Sequence, residues 1–205
     1  MSAPSPWQGG APLLLASSSA TRRMLAESAG LPVQTEAAGI DERTIEASLP
    51  DGNPARIASR LAQEKARAVS RRHPGRLVVG ADQTLACAGR LLHKPPDRTA
   101  AREQLATLSG RTHVLHSAVA IARDDAVLRS FVEDARLTVR PLSTDVIERY
   151  LDLAGANALR SVGAYQLEGL GIHLFESIEG DHSTILGLPL LPLLAALREM
   201  NCLAL

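Results

Sequence analysis

Aromatic side chains are nearly missing from this chain of 205 residues: one Trp, two Tyr and two Phe, 2% in all. Single-strand nucleic-acid binders stack successive bases on aromatic rings, so that class is disfavoured, although one ring could still hold one base. Net charge is missing as well, because Lys plus Arg and Asp plus Glu number 22 each. Binding to nucleic acid or to a membrane surface usually draws on a basic excess. Neither partner is expected, and Arg22-Arg23 and Arg71-Arg72 are only local clusters. The two cysteines, Cys87 and Cys202, lie far apart and form no CxxC or Cys/His spacing. They read as two reduced thiols in a cytoplasmic protein. No apolar run approaches the length of a bilayer span. Residues 1–12 carry Pro, Gly, Ser and Trp7 without a basic segment or a long apolar one. They read as a flexible leader and not as a signal peptide, ahead of a single domain over 13–205.

What remains is an ordinary globular profile, 45% apolar and 21% charged, with enough chain for one substantial core or two lobes around a cleft. Leu13 to Ala16 is a short apolar run, and Ser17-Ser18-Ser19 after it can cap a helix over Ala20 to Ala29 that Gly30 stops. Asn53-Pro54 is a cap followed by an N1 proline. The helix to Arg72 carries Ile57, Leu61, Ala62, Ala66 and Val69 on one stripe. Leu77 to Ala81 reads as a buried strand. Thr84 to Cys87 and Arg90 to His93 form a hairpin turned at Ala88-Gly89. Asp97 or Thr99 caps a helix to Leu108, and Thr112 to Arg123 with Val127 to Arg140 makes a long antiparallel pair. Ser143 opens a helix to Leu153, residues 162–171 are loop, Ile172 to Ile178 is strand, and Pro189 to Asn201 is the last helix. The fold class expected is α/β, with a mixed, partly antiparallel sheet and flanking helices.

Chemistry can be sought in few places. The strand ending Val78-Val79-Gly80-Ala81-Asp82-Gln83-Thr84 delivers a carboxylate and an amide where α/β proteins present polar groups to ligands. Lys94, one hairpin later, could meet an anion. Asp82 is then a metal ligand or the base that activates water, and the competing reading is a turn or cap residue. Ser17, Ser18, Ser19 and Arg22 could hold a triphosphate through hydroxyls, backbone amides and a guanidinium fork, or could be a plain capped helix. Asp41-Glu42 could supply a ligand to Mg²⁺ or could be a solvated loop. Lys65 borders the apolar stripe of its helix and either snorkels or points into a cleft. Glu179-Gly180-Asp181-His182 is a further acidic turn, and the histidines show no zinc-binding spacing.

Taken in order, these segments resemble the Maf family of nucleoside triphosphate pyrophosphatases. The match runs from about Leu13 to Met200. It includes Leu15-Ala16-Ser17-Ser18-Ser19 with Arg22, Asp41-Glu42, Lys65, Gly80-Ala81-Asp82 and Lys94-Pro95. It continues through Ser109-Gly110-Arg111-Thr112-His113, Gly163-Ala164-Tyr165 with Glu168-Gly169, Ile178-Glu179-Gly180-Asp181 and Gly187-Leu188-Pro189. The resemblance implies two lobes around a central cleft and hydrolysis of a nucleoside triphosphate to the monophosphate and pyrophosphate. It implies a divalent cofactor (Mg, Mn or Co), Asp82 as proton acceptor, and Glu42 with Asp82 at the metal. Ser17, Arg22, Lys65 and Lys94 would line the site. Base choice would fall to Thr21, Gln83 and Glu168. The dTTP/UTP branch has Arg, Thr and Gln there, whereas the 7-methyl-GTP branch has Trp, Gln and Glu. Two of the latter three match, so a purine lean follows, since a carboxylate at Glu168 suits the N1–H and N2–H₂ donors of guanine. His93 stands where the family usually has Gly. A homodimer is expected of such an open-edged protein, and the alternative function is a non-catalytic, nucleotide-binding regulator of cell division or septum formation.

Overall fold

The computed structural model describes residues 6–49 and 52–205. Its strands follow the order β2-β1-β3-β5-β6-β7, with β4 paired to β3 off that path. In chain order β1 is Leu13–Ala16, β2 Val33–Thr35, β3 Val78–Cys87, β4 Arg90–Leu92, β5 Thr112–Arg123, β6 Ala126–Val139 and β7 Phe175–Glu179. The helices are α1 (Ala20–Ser28), α2 (Glu42–Ala47), α3 (Pro54–Arg72), α4 (Arg98–Leu108), α5 (Thr144–Ala154), α6 (His182–Ile185) and α7 (Leu190–Glu199). β1 runs parallel to β2 and β3, whereas β3/β4 and β6/β7 are antiparallel. The sheet is therefore mixed, as expected. No helix among the described residues is long and apolar enough to cross a membrane.

The chain divides into two compact units. The first holds the described residues up to Gln83, Ser117–Glu133 and Leu186–Leu205. Every residue of β1 is buried, because both faces of its sheet are covered, and this explains an apolar run with no alternation. Leu13 and Leu15 face a cluster containing Leu25, Val79, Val119, Ile121, Leu193 and Leu197. Leu14 and Ala16 face Val69, Val78 and Ala38. Helices α1 and α7 thus cover one face and α3 the other.

Between α3 and β5 the buried cluster consists of alanines, with Val132 packed against it. Ala58, Ala62 and Ala66 recur every fourth residue on α3, and Ala118, Ala120 and Ala122 every second residue on β5. Each set fills one face of its element, and side chains that small let helix and sheet approach closely. Gly80 carries this furthest. A Cβ there would lie 2.1 Å from the Ala62 carbonyl oxygen and 2.6 Å from the Ala66 nitrogen, so only glycine admits the helix at this depth.

Of the expected leader, residues 1–5 fall outside the described residues. Trp7 forms an antiparallel bridge to Leu203 and packs on the core cluster. Gln8 N donates to the Cys202 carbonyl and Ala204 N to the Pro6 carbonyl. Both cysteines are free and buried.

The second unit comprises Thr84–His116 and Asp134–Ile185. The β3/β4 hairpin turns at Ala88 and Gly89, whose φ values of 49° and 74° are those of a primed turn. Asp97 caps α4 by accepting from Ala100 N, which decides between the two caps considered. Ser143 caps α5 in the same way. Two of the three aromatic side chains of this unit meet around one imidazole: His113, Tyr165 and Phe175 lie with ring centroids 4.8–6.0 Å apart. Two expectations shift. Residues expected as loop at 162–171 contain the 3₁₀ turn Val162–Ala164, and strand β7 begins only at Phe175 because Leu170–Leu174 is 3₁₀.

Candidate active site

Three elements of the first unit bring a lysine and two carboxylates together. Lys65 sits on the buried side of α3, and Asp82 follows Gly80 on β3, so the depth that Gly80 allows sets the distance between them. Lys65 Nζ donates to Asp82 Oδ1 at 2.6 Å and also lies 2.8 Å from Glu42 Oε1. The Lys65 and Asp82 side chains are 11% and 10% exposed, against 54% for Glu42. Asp82 is thus the buried carboxylate and Glu42 the one at the rim.

Asp41 and Glu42 have separate tasks. Asp41 caps α2, accepting from Thr44 N at 3.1 Å and from Thr44 Oγ1 at 2.8 Å. These bonds hold its carboxyl below the usual range. Glu42 opens the helix and is left to face Lys65. Asp181 is a cap as well, accepting from Ser183 N, Ser183 Oγ and Thr184 N.

Arg22 lies beside this group, fixed by carbonyls. Its Nε donates to Gly187 O and its Nη1 to Ala81 O, each at 2.8 Å. Ser17 Oγ accepts from Ser19 N at 3.2 Å and lies 3.5 Å from Arg22 Nη1. Ser19 caps α1. Burial lowers the Arg22 pKa, opposed by Asp82 and Glu42. For Asp82 burial is the largest influence and raises its pKa, although Lys65 and Arg22 pull it down. A carboxylate kept short of solvent is a better proton acceptor than one free in water. Gln83 Nε2 donates to Ser117 Oγ at 2.7 Å, which fixes the amide plane. Thr21 is half-buried in the first turn of α1.

Seven of the nine expected residues (Ser17, Thr21, Arg22, Glu42, Lys65, Asp82 and Gln83) therefore belong to the first unit. The other two, Lys94 and Glu168, belong to the second and are exposed there. Lys94 follows β4, and the preceding His93 gives its carbonyl to Gln104 Nε2. Glu168 precedes Gly169 in the segment after Tyr165. Sequence reasoning missed the groups that aim the others: the carbonyls of Ala81 and Gly187, the hydroxyl of Ser117, and the close approach at Gly80. Gly80 and Gly187 were visible as glycines within motifs. A backbone carbonyl carries no signal in the sequence.

Two carboxylate oxygens converging on one cationic nitrogen form a donor set suited to a hard divalent ion. Among the described residues no group of three or more His, Cys, Asp and Glu could hold a metal. Glu42 and Asp82 would thus share the ion with phosphate oxygens and water, which is how Mg²⁺ is commonly held.

Comparison with known proteins finds relatives over nearly the whole chain. A protein from Nitrobacter winogradskyi named nucleoside triphosphate pyrophosphatase is 59% identical over 97% of this chain and 98% of its own length. One of the same name from Bradyrhizobium diazoefficiens is 54% identical over 97% and 98%. A 7-methyl-GTP pyrophosphatase from Rhizobium etli is 53% identical over 92% and 96%. A family model described as Maf-like protein matches residues 12–200, and the chain belongs to that family.

Proposed function

We propose that this protein hydrolyses nucleoside triphosphates to the monophosphate and pyrophosphate with a divalent cation, favouring purines and including modified or non-canonical bases. The observation that carries this reading is the buried Asp82 carboxylate held 2.6 Å from Lys65 and flanked by Arg22. The names of the relatives support it.

In this reading Asp82 orients a water at the α-phosphorus and accepts its proton. The new bond joins the water oxygen to that phosphorus, and the bond to the oxygen leading to the β-phosphate breaks. Pyrophosphate leaves with that electron pair. Lys65 and Arg22 offset charge gathering on the phosphate oxygens. Arg22 is anchored through Nε and Nη1, which leaves Nη2 for a phosphate. Ser17 and the amides at the start of α1 suit another. A bound Mg²⁺ or Mn²⁺ at Glu42 and Asp82 would supply further charge neutralisation. Lys94 is assigned to the phosphates. Thr21, Gln83 and Glu168 are assigned to the base, with Glu168 accepting from a guanine edge.

The test is a panel of canonical and modified triphosphates, 7-methyl-GTP among them, with Mg²⁺, Mn²⁺ or Co²⁺, scored for pyrophosphate against orthophosphate. Pyrophosphate release from purine members is expected, and Asp82→Asn should lower kcat by about 10²- to 10⁴-fold with an unchanged circular dichroism spectrum. Orthophosphate as the first product, or near-normal turnover by Asp82→Asn, would overturn it. Silence on every member would favour a nucleotide-binding regulator.

A further inference from the structure

We infer that Lys65 is an internal placeholder cation: its ammonium occupies the position between Glu42 and Asp82 that a divalent ion needs, and the two compete for it. The inference rests on the reading above only in taking a divalent ion as the group that belongs there. Three observations converge on it.

First, the contact is two-sided. Nζ lies 2.6 Å from Asp82 Oδ1 and 2.8 Å from Glu42 Oε1, so the ammonium engages the same two carboxylates that would hold the ion. Second, Asp82 is buried, and an unpaired carboxylate in such a place is costly. Some cation must therefore accompany it whether or not metal is present. Third, lysine suits an exchangeable role. Its four-carbon stem and single-point charge let the ammonium leave without moving α3, whereas Arg22 is tied to two backbone carbonyls and stays.

The consequence is that metal binds the free protein weakly and releases the Lys65 amine as it does so. The amine is then available to phosphate oxygens, so the same event that installs the metal frees a cation for the substrate.

Two measurements without nucleotide test this on the full chain. Calorimetric titration with Mn²⁺ should show at least ten-fold tighter binding to Lys65→Met than to wild type, and loss of binding in Asp82→Asn. Equal or weaker binding to Lys65→Met, or no binding to either protein, would overturn the inference. The second measurement needs no variant. Acylation of wild-type Lys65 by an N-hydroxysuccinimide ester, read by peptide mass spectrometry, should quicken several-fold when Mg²⁺ is added. An unchanged or slower rate would overturn it. Neither readout depends on turnover, so failure here leaves the pyrophosphate assay to be judged by itself.

Discussion

Burying an imidazole makes it a pH liability, and His113 is such a case. It is fully enclosed, its Nε2 and Tyr165 Oη share a hydrogen bond of 2.7 Å, and its Nδ1 has no hydrogen-bond partner among the described residues. Desolvation lowers its pKa from 6.5 to about 4. Above pH 6.5 the folded and unfolded chains both hold it neutral, and it contributes no pH dependence. Below 6.5 the unfolded chain takes up a proton that the folded chain refuses until about pH 4. Stability therefore falls across that window, by about 3 kcal/mol from this residue. Denaturant melts at pH 7 and pH 4 should show the loss, and His113→Gln should flatten the slope. A slope of equal size in the variant would assign the acid sensitivity elsewhere. The same scale governs Gln83, whose amide is held by Ser117. If Gln83 reads a base, Ser117→Ala should change the ratio of kcat/KM between purine and pyrimidine triphosphates several-fold and leave the fold intact. A uniform loss on all bases would argue against a reading role.

At the scale of elements the decisive event is α3 meeting β3. The stripe on α3 was legible, and the helix begins and ends where its cap, N1 proline and periodicity indicated. Its distance from the sheet was not legible, because that depends on which β5 residues face it. Gly80→Ala tests the contact. The added methyl meets backbone at 2.1 and 2.6 Å, so the helix must retreat, at about 1–3 kcal/mol. Because Lys65 travels with α3, kcat should fall at least ten-fold as well. A shifted denaturation midpoint with full turnover would separate the packing from the site. Helix α2 and strand β2 were not foreseen. Each is short, at six and three residues. A three-residue strand carries too little periodicity to register, and α2 buries no residue, so it shows no apolar stripe.

At the scale of the whole molecule, the first unit is stitched from three separate stretches of chain. Its two ends are tied through Trp7 and Leu203. Trp7 is the only tryptophan, which makes its emission a direct reporter of that tie. If the segment docks as part of one cooperative unit, its fluorescence shift on unfolding should coincide with the loss of far-ultraviolet circular dichroism. An earlier fluorescence transition would show that the segment undocks first. Trp7→Ala should cost about 1–2 kcal/mol, less than a fully buried ring, since Trp7 is only half-buried.

By itself the sequence determined the local chemistry of this protein. Caps at Asn53 and Ser143, and one within Ser17-Ser18-Ser19, follow from side-chain oxygens that satisfy free amides. The doubly buried β1 follows from an unbroken apolar run, and the family follows from motifs in order. Only the tertiary structure decided where the oxygens of each acid go. Asp41 and Asp181 spend their oxygens on helix ends, whereas Glu42 and Asp82 are brought to one ammonium. That division depends on residues 40 positions apart meeting across a helix and a sheet. Distance in space is set by packing, and packing at Gly80 and the alanine face is a property of the assembled core.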